Sequence, residues 1–225
     1  MTQIRNILLI GRAGNGKSTL ANVLSGTEKF IESSSSVSET KKVQDEKFEL
    51  EVKVMLGGND NNDNLKIKFR VIDTIGIGDT SLSPKEVLAE LAKACDILKD
   101  GLYQVFFVIG NKFTEEEIEA YNMLKEVIFD DEIVKYTTIV RTRFPGFENE
   151  KLCTEEKNKL SGENQKLGEL ISLCNGIIYV DTPPMEGRYV NISKEMRDES
   201  RKRLILFPTS TLASLCWCRR AIHTT

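Results

Sequence analysis

The segment 11–18 reads GRAGNGKS and constrains the fold of this chain more than any other stretch of it. It follows an apolar run at 7–10 and precedes a segment with helical spacing at 17–25. A glycine-rich turn between a buried strand and a helix lets main-chain N–H groups curl around an anion at the positive end of the helix. In this setting the G-x-x-x-x-G-K-[ST] pattern predicts a loop that binds the phosphates of a nucleoside triphosphate with Mg²⁺.

The residues of this loop have separate predicted roles. Glycines leave room for phosphate oxygens beside the main chain because they carry no Cβ atom. The Lys17 amine is placed to bridge the β- and γ-phosphates, and the Ser18 hydroxyl is placed to bind the metal. For Arg12, a side chain that faces outward is favoured over contact with phosphate. With one glycine from a later motif, the predicted phosphate-binding residues are Gly11, Arg12, Ala13, Gly14, Asn15, Gly16, Lys17, Ser18, Thr19 and Gly76.

The composition argues against several classes of function. With 40% hydrophobic and 29% charged residues, the chain of 225 residues has the make-up of one soluble domain. Its net charge of −3 disfavours a nucleic-acid-binding protein. The one histidine, His223, stands near the C-terminus, so a histidine-based catalytic pair or zinc site is not expected. Five scattered cysteines and an N-terminal apolar run too short for a signal peptide predict a cytoplasmic protein with reduced thiols.

The order of periodic patterns predicts an α/β fold. It runs β, α, β, β, α, β, α, β, α, β, α, which is typical of the three-layer P-loop NTPase fold. Segments 48–54 and 65–72 alternate strictly and predict a hairpin, with the first of the two strands at the sheet edge. We therefore expect a mostly parallel sheet with one antiparallel edge strand. Residues 155–174 predict one long helix with a polar face.

A second motif, Asp73-Thr74-Ile75-Gly76, stands at the end of the third predicted strand. An aspartate in this position can hold Mg²⁺ through water. The amide of Gly76 is placed to bond the γ-phosphate, so the loop that begins there would sense whether that phosphate is present. Downstream of a phosphate-binding loop, this motif favours a GTPase over a kinase or an ATPase.

With these motifs the chain resembles GTPases of the TRAFAC class, and most closely the AIG1-type (immunity-associated, GIMAP-like) GTPases. The resemblance rests on GRAGNGKSTLANVLSG, on residues 37–41 and on VIDTIGIGD at 71–79, and in element order it extends over residues 4–180. It implies a G domain at 1–187, followed by a helical and apolar tail at 188–225. It also implies a switch protein that binds GTP or GDP with Mg²⁺ and hydrolyses GTP slowly.

In such GTPases a threonine in the loop after the first helix binds Mg²⁺ and reports the γ-phosphate. Thr40 matches that position best, and Ser38 matches it second. The resemblance would then make residues 27–42 and 74–83 ordered when the triphosphate binds, for a partner to read. The implied metal ligands are Ser18, Thr40 and Asp73.

The chain departs from the family at the guanine-reading motif, N/T-K-x-D or a T-R-x-D-like variant, after the fifth strand. That place reads VRTRFPGF at 140–147, and the aspartate that would accept hydrogen bonds from guanine is missing. Glu148 or Asp181 could replace it, while stacking of Phe144 or Phe147 on the base is less favoured than packing. Guanine or adenine specificity therefore stays open. The predicted base-binding residues are Thr142, Arg143 and Asp181, with the stem of the arginine covering the base.

A second departure concerns hydrolysis. Many GTPases carry a glutamine after the D-x-x-G glycine to orient the attacking water, and here that position is Ile77. We therefore expect slow hydrolysis, completed by a residue that a second subunit supplies in a nucleotide-dependent dimer or oligomer. Two alternatives stay open, namely a P-loop ATPase or kinase, and a scaffold that holds its nucleotide without hydrolysing it and binds an effector through its surface.

Two charged clusters are interpreted as solvated surface. The acidic residues at 115–119 (Glu115, Glu116, Glu117 and Glu119) follow Thr114 at a predicted helix start, where they face solvent near the positive helix end rather than a metal. The basic residues at 197–203 (Arg197, Arg201, Lys202 and Arg203) alternate with acidic ones, which is typical of an amphipathic helix and not of a nucleic-acid-binding surface.

The C-terminal segment is apolar and reads LASLCWCRR at 212–220. One interpretation is a membrane anchor in which Cys216 and Cys218 are acylated and Trp217 lies at the interface. The others are a segment that packs on the core or a partner, and a tail without a packed role. Membrane association is the least favoured of the three.

Overall fold

Six strands form one sheet in the computed structural model of the chain, which describes residues 4–32, 40–55, 62–78, 82–110, 113–128, 131–163 and 165–210. In chain order the strands are β1 (Arg5–Ile10), β2 (Gln44–Met55), β3 (Asn62–Asp73), β4 (Gln104–Ile109), β5 (Thr137–Arg141) and β6 (Ile177–Tyr179). The α-helices of these residues are α1 (Lys17–Ser25), α2 (Pro84–Ile97), α3 (Glu115–Ile128), α4 (Glu150–Glu163), α5 (Gln165–Leu173) and α6 (Val190–Ser210).

The sheet is mostly parallel, and β2 is an antiparallel strand at its edge. The strand order is β2-β3-β1-β4-β5-β6, with β2 antiparallel to β3 and the other pairs parallel. The predicted α/β fold class and the predicted hairpin are therefore confirmed. Because parallel strands carry their carboxyl ends at one edge of a sheet, the loops after β1, β3, β4, β5 and β6 meet there.

Side chains of β1 alternate between two apolar cores on opposite faces of the sheet. Leu8 and Ile10 lie in a core to which α2, α3 and α5 contribute, whereas Ile7 and Leu9 lie in a core with α1 and α6. All four side chains are buried. Helices on both faces of the sheet form the three predicted layers, and they leave the carboxyl ends of the strands open for the motif loops.

Two element boundaries differ from the sequence-based prediction. The prediction of one continuous helix at 155–174 is wrong. A Cβ atom at Gly168 would lie only 2.8 Å from the carbonyl oxygen of Ser161. Residues seven apart in one straight helix are separated by about 10 Å along its axis, so the chain turns sharply between α4 and α5. The strand predicted at 48–54 begins earlier, at Gln44, since residues 44–47 pair with residues 70–73 of β3.

Helix α6 packs on the domain core. Its Ser200 and Leu204 are 0% exposed, and the helix contacts α1 and β6. The boundary predicted at residue 187 therefore does not separate α6 from the domain. Residues 211–225, and with them the three interpretations of the C-terminal segment, lie outside the described residues. In the described parts of the chain, no helix combines the length and the apolar character needed to cross a membrane.

The interpretation of residues 197–203 as a solvated face is wrong for their arginines. The side chains of Arg197 and Arg203 are 12% and 26% exposed. The Arg201 guanidinium donates from Nε to the carbonyl oxygen of Leu24 at 3.1 Å, at the end of α1. Lys202 does face solvent, with 68% of its side chain exposed. Helical periodicity indicated an amphipathic segment, but the arginines lie on the side that packs.

Candidate nucleotide-binding site

The loop between β1 and α1 has the curled backbone that the glycine pattern predicts. Gly11, Gly14 and Gly16 adopt positive φ angles of 143°, 81° and 85°. A Cβ atom at Gly11 would lie 2.3 Å from the carbonyl oxygen of Val108 on β4, so this position requires glycine. Gly16 leads directly into the first turn of α1. The loop therefore presents its amides at the positive end of that helix.

The side chain of Lys17 is held inside this curl. Lys17 is 5% exposed, and its Nζ atom donates to the carbonyl oxygens of Gly11 and Arg12, each at 3.0 Å. These two contacts fix the direction of the long side chain before any phosphate is bound. The ammonium group therefore lies at the loop as a preplaced positive charge for a phosphate.

Three side-chain oxygens that can bind a metal lie together beside Lys17. They belong to Ser18 on α1, to Asp73 at the end of β3 and to Thr40. The Ser18 hydroxyl donates to Oδ2 of Asp73 at 2.6 Å, and its oxygen lies 2.9 Å from Oγ1 of Thr40. Neighbouring ligands of an octahedral Mg²⁺ are about 3 Å apart, because each lies about 2.1 Å from the metal. The spacing of these oxygens fits the predicted metal site.

The buried carboxylate of Asp73 supports the same fit. Asp73 is 0% exposed, and Oδ1 accepts no hydrogen bond within the described part of the chain. Burial raises the pKa of Asp73, while the Lys17 charge and the Ser18 hydroxyl oppose this rise. A bound cation would supply the missing partner and favour the ionised carboxylate. Mg²⁺ held here would neutralise phosphate charge. The second-choice ligand Ser38 lies outside the described residues.

The D-x-x-G segment is held against the phosphate-binding loop. A Cβ atom at Gly76 would lie 2.5 Å from the main-chain nitrogen of Ala13. The Ile77 N–H donates to the carbonyl oxygen of Gly11 at 3.2 Å, and the Ala13 N–H donates to that of Ile77 at 3.3 Å. Ile77 itself is buried in the core. Core packing and these main-chain contacts hold residues 74–77 in this structure. Ordering of 74–83 with nucleotide stays a prediction, and its residues 79–81 lie outside the described residues.

The side chain of Arg12 points away from the loop, as the favoured interpretation expects. Its Nη1 atom lies 3.9 Å from a carboxylate oxygen of Glu116 on α3, and the two side chains are 37% and 63% exposed. An exposed pair at this distance contributes little to stability. In this structure Arg12 takes part in the site through its carbonyl oxygen, which binds Lys17.

Glu117 is a residue of this site that the sequence-based interpretation missed. It was expected on a solvated face, but it is 4% exposed, and its Oε1 atom accepts from the Asn15 amide at 2.9 Å. The same amide donates to the carbonyl oxygen of Val108 at 2.9 Å. Glu117 stands four positions before the buried Tyr121, and this spacing was a signal that both lie on the inner face of α3.

We expect a pH-dependent gain in stability when Glu117 becomes glutamine. Burial raises the pKa of Glu117, although Asn15, Arg12 and Lys17 oppose the rise. A carboxyl whose pKa is raised on folding stabilises the folded state most at low pH, and that stability is lost as the pH rises through the folded pKa. Glu117→Gln keeps an acceptor for Asn15 and removes the charge. Its free energy of unfolding should exceed that of the wild type at neutral pH.

The measurement is urea unfolding of both proteins between pH 5 and pH 8, with Glu119→Gln as the matched control. Glu119 lies two positions along the same helix and is exposed. The advantage of Glu117→Gln should shrink toward acid, where the carboxyl is protonated. An advantage that is equal at every pH, or absent, would contradict the buried charge.

The side chain of Thr142 is buried against the phosphate-binding loop and is not exposed for the predicted contact with a base. It is 1% exposed, and its hydroxyl lies 2.9 Å from the carbonyl oxygen of Asn15 and 3.0 Å from that of Ile109. Arg143 follows with a left-handed φ of 55° and donates to the carbonyl oxygen of Gly14 at 2.9 Å. These contacts join the end of β5 to the loop. Arg143 is exposed, and covering of a base by its stem stays a prediction.

Asp181 lies beside Arg143, beyond the neighbouring strand β6. Burial raises the pKa of the Asp181 carboxyl, and the Arg143 charge opposes this rise. Glu148 is exposed in the turn before α4, and Phe147 is 1% exposed in the core. Packing of Phe147 therefore rules out its stacking on a base, and the ring of Phe144 lies 4.9 Å from that of Tyr179.

Comparison with known proteins identifies relatives of most of this chain. The family model of the AIG1 family matches residues 5–181. Immune-associated nucleotide-binding protein 4 of Arabidopsis thaliana is 29% identical over 197 residues, which are 86% of this chain and 56% of that protein. Immune-associated nucleotide-binding protein 3 of the same plant is 31% identical over 141 residues, 62% of this chain and 38% of that protein. The chain thus spans less than two thirds of the length of these relatives.

Solved structures share the fold at low sequence identity. Toc33 from Arabidopsis thaliana in complex with GDP and Mg²⁺ has a TM-score of 0.54 at 14% identity, covering 100% of this chain and 89% of that chain. A second structure concerns the chloroplast translocon components atToc33 and psToc159, for whose GTPase activity dimerization is important. It has a TM-score of 0.58 at 16% identity, covering 99% of this chain and 87% of that chain. These likenesses show the G-domain type of fold.

Proposed function

The chain belongs to the AIG1 family, and on that premise we propose that it is a guanine-nucleotide-binding switch that binds GTP and GDP with Mg²⁺. The observation that carries the proposal is the convergence of Ser18, Thr40 and Asp73 oxygens beside the buried Lys17. These groups come from three separate parts of the chain, and their spacing fits one Mg²⁺ bound next to phosphates. The names of the plant relatives and the Toc33 complex with GDP and Mg²⁺ support the same ligand class.

The nucleotide-dependent switch centres on Thr40, and residues 33–39 of the predicted switch segment 27–42 lie outside the described residues. The Thr40 hydroxyl meets Ser18, so a triphosphate with Mg²⁺ at the loop acts directly on the position of Thr40. Contacts that exist with GTP and are lost with GDP stabilise one position of Thr40 and offset the entropy of fixing it there. Residues 74–77 pack on the core in this structure, so we expect the larger nucleotide-dependent change at Thr40.

Asp181 is the residue that reads the guanine base. It follows β6, and Arg143 follows β5, so parallel pairing of these strands carries both residues to the open edge of the sheet. A carboxylate can accept from the N1–H and N2–H₂ groups of guanine, which is the role of the aspartate missing after β5. Asp181 is partly buried. Burial raises the pKa of its carboxyl, while the Thr182 N–H and the Arg143 charge oppose the rise.

Hydrolysis by the single chain is slow. The position after the D-x-x-G glycine holds Ile77, which is 8% exposed and packed in the core, so it cannot orient water. A residue from a second copy of the chain completes the site in a nucleotide-dependent dimer, as the importance of dimerization in the translocon GTPases supports. The buried isoleucine also favours a second candidate, a scaffold that holds its nucleotide without hydrolysing it.

Nucleotide competition tests the ligand. Purified protein in Mg²⁺ is titrated with fluorescent GDP, and GDP, GTP and ATP are then added as competitors. We expect GDP and GTP to displace the probe at far lower concentrations than ATP. Equal displacement by ATP would contradict guanine recognition and favour the P-loop ATPase alternative.

Turnover tests the mechanism. Phosphate release from GTP is measured per molecule across a dilution series of the protein, with light scattering to follow the oligomeric state. We expect the rate per molecule to rise with protein concentration. Fast turnover in strictly monomeric protein would contradict completion by a second copy, and no turnover at any concentration would favour the scaffold. A cytoplasmic location and a surface effector remain predictions.

A further inference from the structure

The side chain of Asn15 joins the phosphate-binding loop to β4 and to α3. Asn15 is 9% exposed, and its Nδ2 atom donates both to the carbonyl oxygen of Val108 and to Oε1 of Glu117, each at 2.9 Å. Both hydrogens of the amide are therefore used. A Cβ atom at Gly110 would lie 2.9 Å from Oδ1 of Asn15, so the other end of the amide is confined as well. These contacts fix one orientation of the side chain.

The main chain of Asn15 is held from a further element, the end of β5. Its carbonyl oxygen lies 2.9 Å from the Thr142 hydroxyl, and its N–H donates to the carbonyl oxygen of Arg12 at 3.4 Å. Asn15 stands between Gly14 and Gly16, which both have positive φ angles. Glycines have the largest conformational freedom in an unrestrained chain. The contacts of Asn15 therefore anchor the loop at the point between its two most variable residues.

Glu117 contributes a buried carboxylate to this arrangement. It is 4% exposed, and its Oε1 atom accepts from Asn15. The other oxygen, Oε2, has no hydrogen-bond partner among the residues that the structure describes. Burial of an ionised group with an open acceptor costs free energy. The carboxylate is thus kept at a cost in stability, and its described hydrogen bond is with the phosphate-binding loop.

We propose that Asn15 and Glu117 are positioning residues of the phosphate-binding loop, and that the charge of Glu117 adjusts the affinity of the loop for phosphate. The inference rests on the proposed function for the phosphates and not for the base. Asn15 keeps the loop curled before a nucleotide binds, so less entropy is lost on binding. Glu117 holds the Asn15 amide in the orientation that reaches Val108.

The charge of Glu117 acts against its role as a hydrogen-bond acceptor. Burial raises the pKa of Glu117, the hydrogen bond from Asn15 and the charges of Arg12 and Lys17 oppose the rise, and the charge of Glu116 adds to it. Phosphate bound at Lys17 brings negative charge close to these groups and favours the neutral carboxyl. By linkage, the neutral carboxyl then favours phosphate binding. The affinity for a nucleoside diphosphate should therefore fall as the pH rises through the pKa of Glu117.

The first test compares Asn15→Ala and Glu117→Ala with Glu119→Ala, which changes an exposed residue of the same helix. GDP affinity is measured in Mg²⁺ at pH 6, where the charge of Glu117 has its smallest effect, together with the melting temperature. We expect each of the first two variants to weaken GDP binding by about tenfold, on the scale of one buried hydrogen bond. The double variant should bind no more weakly than the weaker single one. Unchanged GDP affinity with a lowered melting temperature, or full additivity, would overturn the positioning role.

Glu117→Gln separates the hydrogen bond from the charge. It keeps an acceptor for Asn15, so it protects the test against misfolding of Glu117→Ala and should bind GDP more tightly than that variant at pH 6. Between pH 6 and pH 8 its GDP affinity should fall less than that of the wild type. Glu119→Gln should keep the wild-type profile, because titration of the nucleotide phosphate affects all the proteins alike. A wild-type profile in Glu117→Gln would overturn the role of the charge.

The same measurements distinguish this inference from the proposed function. If the wild type binds no nucleoside diphosphate, the proposed function itself is wrong. If ADP binds as tightly as GDP, base recognition is wrong, and the variants are then compared with either nucleotide because the inference concerns the phosphates. Binding with unchanged affinity and an unchanged pH profile in every variant overturns this inference alone.

Discussion

Replacement of Lys17 by alanine should abolish measurable nucleotide binding, with a loss of affinity of about 100-fold or more, roughly 2.7 kcal/mol. The side chain is 5% exposed, and two carbonyl oxygens hold its amine at 3.0 Å. The charge is therefore placed at the loop in advance, and its charge-assisted hydrogen bonds to phosphate cannot be replaced by water in a buried position. Fluorescent GDP titration in Mg²⁺ measures the effect.

Two further variants separate charge from packing in this prediction. Lys17→Met keeps the apolar stem, so it should fold like the wild type and still lose binding. Lys99→Ala is the control, since Lys99 is 65% exposed on its side chain and pairs with Asp96 within one turn. Unchanged GDP affinity in Lys17→Ala would mean that the nucleotide site lies elsewhere. A loss in Lys17→Ala that Lys17→Met does not share would mean that the lysine acts through packing.

Replacement of Asp181 by asparagine should change which purine the protein selects. A carboxylate accepts from the amine at C2 of guanine, whereas an asparagine amide can donate to the carbonyl oxygen that xanthine carries there. We expect GDP affinity to fall by about tenfold or more and the affinity for xanthosine diphosphate to rise. The main-chain contacts of Asp181 with Ser200 do not involve the replaced group, so the fold should be retained.

Glu148→Gln is the matched control for base selection. Both carboxylates were candidates from the sequence, and Glu148 is exposed in the turn before α4. We expect it to leave the selectivity between guanine and xanthine unchanged. The opposite result, a change in Glu148→Gln and none in Asp181→Asn, would assign the base to Glu148 and contradict the arrangement proposed for Asp181.

Much of the fold was predictable because its signals are local. The strand at Arg5–Ile10, the helix at Lys17–Ser25 and the hairpin follow from residues that stand next to each other in the chain. Periodicity of two or of 3.6 residues records which side of an element is apolar. The helix at 155–174 was predicted wrongly because the polar face continues through the turn, and the break is visible only where Gly168 approaches Ser161.

The site could be predicted where a motif specifies the shape of the backbone. It was harder to predict where the side chains in contact are far apart in the sequence. Lys17, Ser18 and Asp73 were placed together from two motifs, and the structure brings them to one point with Thr40. Glu117 was misread because charge pattern alone does not distinguish the inner from the outer face of a helix start. Glu117 lies on the inner face of α3, where it accepts a hydrogen bond from Asn15, 102 positions away in the chain.

The sequence by itself determined the phosphate-binding loop, the ligand class it predicts and the layered α/β fold. Those features depend on glycine conformation and on apolar periodicity, which are properties of a short stretch of chain. The tertiary structure alone decided that α6 packs on the domain and that Arg197 pairs with Glu32, 165 positions away in the chain. A partner for a charged side chain is chosen by how helices pack, and no local pattern specifies that choice.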